Sequence, residues 1–149
     1  LKNFSGLEHR CQFIKSFNNI DWYNDSKATN VGACIASIKG LCEFGKIILI
    51  AGGDSKGSDL SSLNEIIEKY VKKVFLFGID ADKLSSVLSS KVDKEFVRSV
   101  DEAVHFANKV ALPGDLVLLA PACSSLDMYQ NFKQRGDAFI SSVNALQKN

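Results

Sequence analysis

Three polar stretches carry residue types able to do chemistry. Asn24-Asp25-Ser26-Lys27-Ala28-Thr29-Asn30 sets a carboxylate, an ammonium and two hydroxyls between an extended apolar segment and a strongly helical one. Asp25 and Lys27 stand two apart, so in extended backbone both point to one side and grip different parts of a ligand; the competing reading is a surface ion pair. Gly52-Gly53-Asp54-Ser55-Lys56-Gly57 looks like a phosphate loop but fails in detail, because Lys56 precedes the last glycine and Asp54 repels phosphate. An ammonium at the tip of a bendable loop suits a small carboxylate better, the alternative being a plain glycine turn with a solvated lysine. Pro121-Ala122-Cys123-Ser124-Ser125-Leu126-Asp127 offers hydroxyl donors and is predicted to open toward a helix N-terminus, where free N–H groups favour an anion, the alternative being hydroxyl-rich caps without a ligand.

Other candidates are weaker. Arg10 precedes the hairpin and can reach a phosphate or a ribose, the commoner reading of a lone arginine being surface decoration. His9 and His105 have no partner at metal-binding spacing and read as structural or solvent-facing. Cys123 has no histidine partner that would make it a nucleophile. Phe132, Phe139 and Ile140 read as core or pocket wall.

The elements that must position these loops follow from periodicity. Cys11 to Phe17 and Ile20 to Tyr23, separated by Asn18-Asn19, predict a β-hairpin. Val31, Cys34, Ile35, Ile38, Leu41 and Cys42 recur at helical spacing, capped by Thr29 or Asn30. Lys46 to Ala51 is a continuous apolar run, the mark of a strand covered on both faces. A helix through Leu60 to Val71 with a Ser62/Glu65 capping box follows, then a strand at Val74 to Phe77 and a helix through Lys83 to Leu88. A short strand at Glu95 to Val97 precedes a helix capped by Ser99/Glu102, a strand at Leu116 to Ala120, a polar loop to Tyr129 and a last helix through Phe132 to Leu146. Strands alternating with helices predict one doubly wound α/β domain with a mostly parallel sheet and an N-terminal hairpin. In such sheets ligands sit beyond the carboxyl ends of the strands, where the three polar loops emerge.

The bulk numbers agree with a single domain. The chain has 149 residues, 46% apolar and 23% charged, with a formal net charge of +1. Its basic residues are dispersed, which argues against nucleic acid or an anionic membrane as partner. Four cysteines without a CxxC pair read as reduced thiols in a cytoplasmic protein. No apolar run is long enough to span a bilayer. The start at Leu1-Lys2-Asn3-Phe4, without Met, reads as a piece of something longer.

Taken in order, His9-Arg10-Cys11, the Asn24–Asn30 stretch, the Gly52–Gly57 loop, Pro121–Asp127, Asn131-Phe132 and Gln134-Arg135-Gly136 resemble the C-terminal domain of the Mur ligases, in particular the branch that adds D-glutamate to UDP-N-acetylmuramoyl-L-alanine. The resemblance implies a Rossmann-like domain spanning 1–149, with the UDP-binding and central ATPase domains outside this chain, and ATP and Mg2+ as cofactors. Mg2+ ligands are then expected in the central domain, and no metal ligand or catalytic residue in this one, which alone should be inactive. It implies that Arg10, Asp25 and Lys27 close over ATP. It also implies that Thr29, Lys56, Ser125, Leu126 and Phe132 hold D-glutamate. The competing functions are another amino-acid-adding ligase of the superfamily and a non-catalytic nucleotide-binding module.

Overall fold

The structure is a computed structural model and describes residues 8–146. Asn18 and Asn19 both take left-handed backbone, at φ 56° and 61°, as a two-residue mirror-image turn demands. They join β1 (Gln12–Phe17) to β2 (Ile20–Asn24) antiparallel, with Phe17 opposite Ile20.

From β2 onward the chain alternates: α1 (Val31–Leu41), β3 (Ile47–Gly52), α2 (Leu63–Tyr70), β4 (Val71–Phe77), α3 (Ala81–Val87), β5 (Lys94–Phe96), α4 (Val100–Val110), β6 (Leu116–Ala122) and α5 (Phe132–Asn144). The six strands lie in the order β1-β2-β6-β3-β4-β5, and every pairing except β1 with β2 is parallel. The predicted doubly wound fold is therefore present.

Side-chain alternation along the central strands feeds two cores. Ile47, Leu49 and Ala51 pack with Ile38, Leu41, Leu63, Ile67 and Leu84 from α1, α2 and α3. Ile48 and Ile50 pack on the other face with Val104, Ala107, Phe139 and Val143 from α4 and α5. Each fully buried isoleucine stabilises by about 1.5–3 kcal/mol, so an uninterrupted apolar β3 is what a sheet covered on both faces selects. β3 and β6 are neighbours in the middle, yet β3 leads on to β4 while α5, after β6, packs back over β2. The chain diverges between those two strands, and the crevice beyond their carboxyl ends is the natural ligand seat.

Several local expectations change, among them Val71, which opens β4 instead of ending the preceding helix. β6 runs two residues further than predicted, through Pro121 and Ala122. Proline donates no ladder hydrogen bond, and the β3 register opposite it shifts between Ile50 and Gly52. Ser62 forms no cap: at φ −68°, ψ −12° it is already helical, and its side chain makes no cap hydrogen bond. Ser99 does accept from the Glu102 N–H at 3.1 Å, but the Glu102 carboxylate takes the Arg98 N–H instead of returning to Ser99. Of the two candidates for α1, Asn30 is the cap, accepting from Ala33 at 2.9 Å.

Candidate functional site

β2 ends at Asn24 and the chain turns at once. The Asp25 N–H donates to Leu119 of β6 at 2.8 Å, and the Ala28 N–H donates back to the Asp25 carbonyl at 2.9 Å. Asp25 to Ala28 is thus a reverse turn, which corrects the extended geometry expected from the spacing of Asp25 and Lys27. The turn still delivers both to one place. Arg10, Cys11, Asp25, Lys27 and Ala28, with Ala33, Ala36 and Ser37 of α1, line an open cleft of about 320 Å³. Alanines on this face of α1 leave its floor clear.

Asp25 is no surface ion-pair partner, being only 6% exposed. The Ser37 hydroxyl and the Cys11 backbone N–H donate to its carboxylate. Burial raises its pKa above the ordinary aspartate value, against those hydrogen bonds and the nearby Arg10 guanidinium. Arg10 and Lys27 are exposed. The Lys27 backbone is fixed by a 3.0 Å bond from its N–H to the His9 carbonyl, and its ammonium sits 5.7 Å from the Phe132 ring centroid.

The loop after β3 is shaped by what it must avoid. At Gly52, φ +148°, a Cβ would fall 1.9 Å from the Phe77 carbonyl oxygen, so only glycine lets β3 and β4 pass this closely. Asp54 and Ser124 then form a two-way backbone bridge, at 2.9 and 2.8 Å, which zips the loops after β3 and β6 together. Lys56 takes left-handed backbone at φ 52°, gives its N–H to Asp54 Oδ1 at 2.8 Å and is exposed. No helix begins until Leu63, so the loop lacks the helix terminus a phosphate loop depends on.

Ser125 is buried at 3% exposure, whereas Leu126 is 58% exposed. The helix toward which this loop opens is α5, which begins at Phe132, and the N–H of Gln134 in its first turn is already taken by the Asn131 side chain at 2.8 Å. Thr29 is half-buried beside Ala28, whose carbonyl accepts the Ala122 N–H at 2.9 Å. Phe132 lies against the turn, its carbonyl accepting from Ser26 Oγ at 2.6 Å. The eight sequence-selected residues thus divide between the cleft and loops stitched to it.

Arg135 is the residue whose part sequence reasoning missed. It is fully buried, and its guanidinium donates to the Ser26 carbonyl at 2.7 Å, to Ser26 Oγ at 3.0 Å and to the Cys123 carbonyl at 3.0 Å. Burial lowers its pKa to about 10, which leaves it cationic at neutral pH. The available signal was its place between Phe132 and Phe139, on the inward stripe of α5. His9 is structural: 1% exposed, it takes the Asn24 side-chain amide at 2.8 Å. Cys123 has no solvent exposure and burial pushes its thiol up to about 12, which removes it from the nucleophiles.

Among the described residues no group of three His, Cys, Asp or Glu side chains is placed to hold a metal ion, and no helix is long and apolar enough to cross a membrane. All four cysteines are free.

The chain is similar to known proteins over nearly its whole length. It is 47% identical over 148 residues to the UDP-N-acetylmuramoylalanine--D-glutamate ligase of Legionella pneumophila, covering 98% of this chain and 33% of that protein. The chain therefore spans about a third of the length of that relative. Two solved structures share the fold, both with a TM-score of 0.66. One is a murein peptide ligase from Psychrobacter arcticus, 15% identical, covering 98% of this chain and 32% of that one. The other is a bifunctional folylpolyglutamate synthase/dihydrofolate synthase from Yersinia pestis complexed with AMPPNP and Mn ion, 19% identical, covering 95% and 32%. The family model described as Mur ligase, glutamate ligase domain matches residues 9–123, from the histidine before Arg10 to the end of the Cys123 strand exit. On that match the chain belongs to the Mur ligase family, as its glutamate ligase domain.

Proposed function

We propose that this chain is the C-terminal, amino-acid-binding domain of an ATP-dependent ligase that joins D-glutamate to UDP-N-acetylmuramoyl-L-alanine during peptidoglycan synthesis. The observation that carries the reading is the division of the site. Arg10, Asp25 and Lys27 line one cleft, while Thr29, Lys56, Ser125 and Leu126 sit on loops bonded to its rim and Phe132 opens α5 against it. Asp25 accepts ribose hydroxyls of ATP, and Arg10 and Lys27 meet its phosphates and polar groups. Lys56 and the Ser125 loop take the two carboxylates of D-glutamate, with Thr29, Leu126 and Phe132 completing that seat.

In this reaction ATP phosphorylates the L-alanyl carboxylate, and the D-glutamate amine displaces phosphate to leave an amide, ADP and phosphate. The UDP-sugar site, the phosphate loop and the Mg2+ ligands belong to the remaining two-thirds of such an enzyme. The share of this domain is to bring the amine beside the activated acyl group and to exclude water as the domains close. Cationic Arg10 and Lys27 offset charge on the phosphates. The product is a cell-wall precursor, which places the work in the cytoplasm and ties it to cell shape and division.

The test is Lys56→Ala in the intact ligase that carries this chain. Losing a charged hydrogen bond of about 1.5–3 kcal/mol raises KM for D-glutamate roughly ten- to a hundredfold, with KM for ATP little changed. A rise confined to ATP would overturn the assignment.

A further inference from the structure

Asp80 occupies the N-cap position of α3 yet makes no cap hydrogen bond to its own helix. Its carboxylate is turned instead to the loop after β3, where Oδ2 accepts both the Ser55 N–H and the Ser55 hydroxyl, each at 2.7 Å. The Lys83 ammonium, 3.1 Å from Ser55 Oγ, completes the cluster. Backbone bonds fix Asp80 against that loop: its N–H donates to the Gly53 carbonyl at 3.0 Å, and the Gly53 N–H donates to Phe77 at 3.2 Å. The Ser55 hydroxyl and N–H, with Lys83 nearby, hold the Asp80 carboxyl below the usual carboxylate range, so it stays ionised and accepting.

The residue next to Ser55 is Lys56, a non-glycine in left-handed backbone. That conformation is costly and persists only where neighbours over-determine it. Asp54 supplies one restraint through its side chain, and the Asp54–Ser124 bridge fixes the incoming backbone. Asp80 supplies the other, by anchoring Ser55, which is only 5% exposed while Lys56 remains open to solvent. The base of the lysine is fixed and its ammonium left free, the arrangement expected of a group that must meet a ligand in one orientation.

We infer that Asp80 is a positioning residue for the amino-acid substrate: through its two hydrogen bonds to Ser55 it sets the left-handed backbone that aims Lys56 at a D-glutamate carboxylate. The inference rests on the reading of Lys56 given under Proposed function.

The experiment is a double-mutant cycle in the intact ligase, measuring kcat and the KM for each substrate. Asp80→Ala raises KM for D-glutamate about tenfold, through a misplaced rather than a missing ammonium, with kcat and KM for ATP within about twofold. Asp80→Asn, which keeps a carbonyl oxygen for the Ser55 N–H, recovers most of the loss, and Ser55→Ala, which removes one of the two bonds, gives an intermediate rise. The Lys56→Ala/Asp80→Ala double variant has the same KM for D-glutamate as Lys56→Ala alone, because Asp80 acts only through Lys56. The inference is overturned if Lys56→Ala raises that KM and neither Asp80→Ala nor Ser55→Ala does, or if the two effects multiply in the double variant. If Lys56→Ala itself leaves the KM unchanged, the underlying assignment of Lys56 falls and takes the inference with it.

Discussion

Arg135 Nη2 donates to the Ser26 carbonyl at 2.7 Å, deep in the protein, tying α5 to the turn that carries Asp25 and Lys27. A fork of three bonds from one buried cation to two loops makes this residue the joint between the Asp25–Ala28 turn and the Pro121–Asp127 loop. Removing it leaves two carbonyls and a hydroxyl short of a donor.

Arg135→Ala is therefore expected to destabilise the domain by about 3 kcal/mol or more, read as a lower urea midpoint. Arg135→Lys is expected to recover less than half of that, because a point-like ammonium cannot reproduce the planar fork. A loss below about 1 kcal/mol for the alanine variant would show that water replaces the guanidinium and that the joint is not structural.

Asp25 binds its proton more tightly in the fold than in the unfolded chain, where the ordinary value is 3.8. A raised folded pKa contributes stability that is complete below the unfolded value and is lost as pH rises through the folded one. Asparagine does not titrate there. The stability of the native sequence relative to Asp25→Asn should accordingly fall as pH climbs from 3.8 toward neutrality and level off above the folded pKa. Urea midpoints of both proteins across that range give the slope; a slope of opposite sign would mean that Arg10 and the hydrogen bonds outweigh burial.

Gly136 sits inside α5, where alanine is intrinsically the better helix former by about 1 kcal/mol. A Cβ there would lie 2.1 Å from His9 Nδ1, and the imidazole is walled in. The clash wins: Gly136→Ala should destabilise by roughly 1–3 kcal/mol, the usual range for overpacking, and shift the His9 and Asn24 side-chain signals in NMR spectra. A net gain in stability would show that His9 swings aside freely.

Cys123 is expected to resist alkylation in the folded domain at pH 8 and to react at once in denaturant, since its thiol is fully buried and pushed up to about 12. Mass spectrometry after iodoacetamide treatment reads this directly. Rapid labelling of the native domain would reopen the nucleophile reading.

Alternation of buried strands with amphipathic helices was legible from the chain because the β3 run and the α1 stripe have distinct periods, and Asn18-Asn19 announced the hairpin through their tolerance of positive φ. The loops that gather at the crevice were legible from residue type. What stayed hidden depends on distant partners. The turn at Asp25 needs Leu119 to hold its N–H, so spacing alone suggested extended chain. Arg135 looks like surface until Ser26 and Cys123 are seen to surround it. Ser62 has the letters of a capping box, but the chain is already coiled where the cap should be extended.

The bridge between Asp54 and Ser124 makes two loops far apart in sequence a single mechanical part. Both of its bonds are main-chain, so a chimera that imports the Gly52–Gly57 loop alone from a sister ligase keeps them only where the imported backbone holds the same register against Ser124. Backbone register on the two sides is thereby coupled. On the function proposed above, the bridged pair is then the unit to graft in any attempt to change which amino acid is taken.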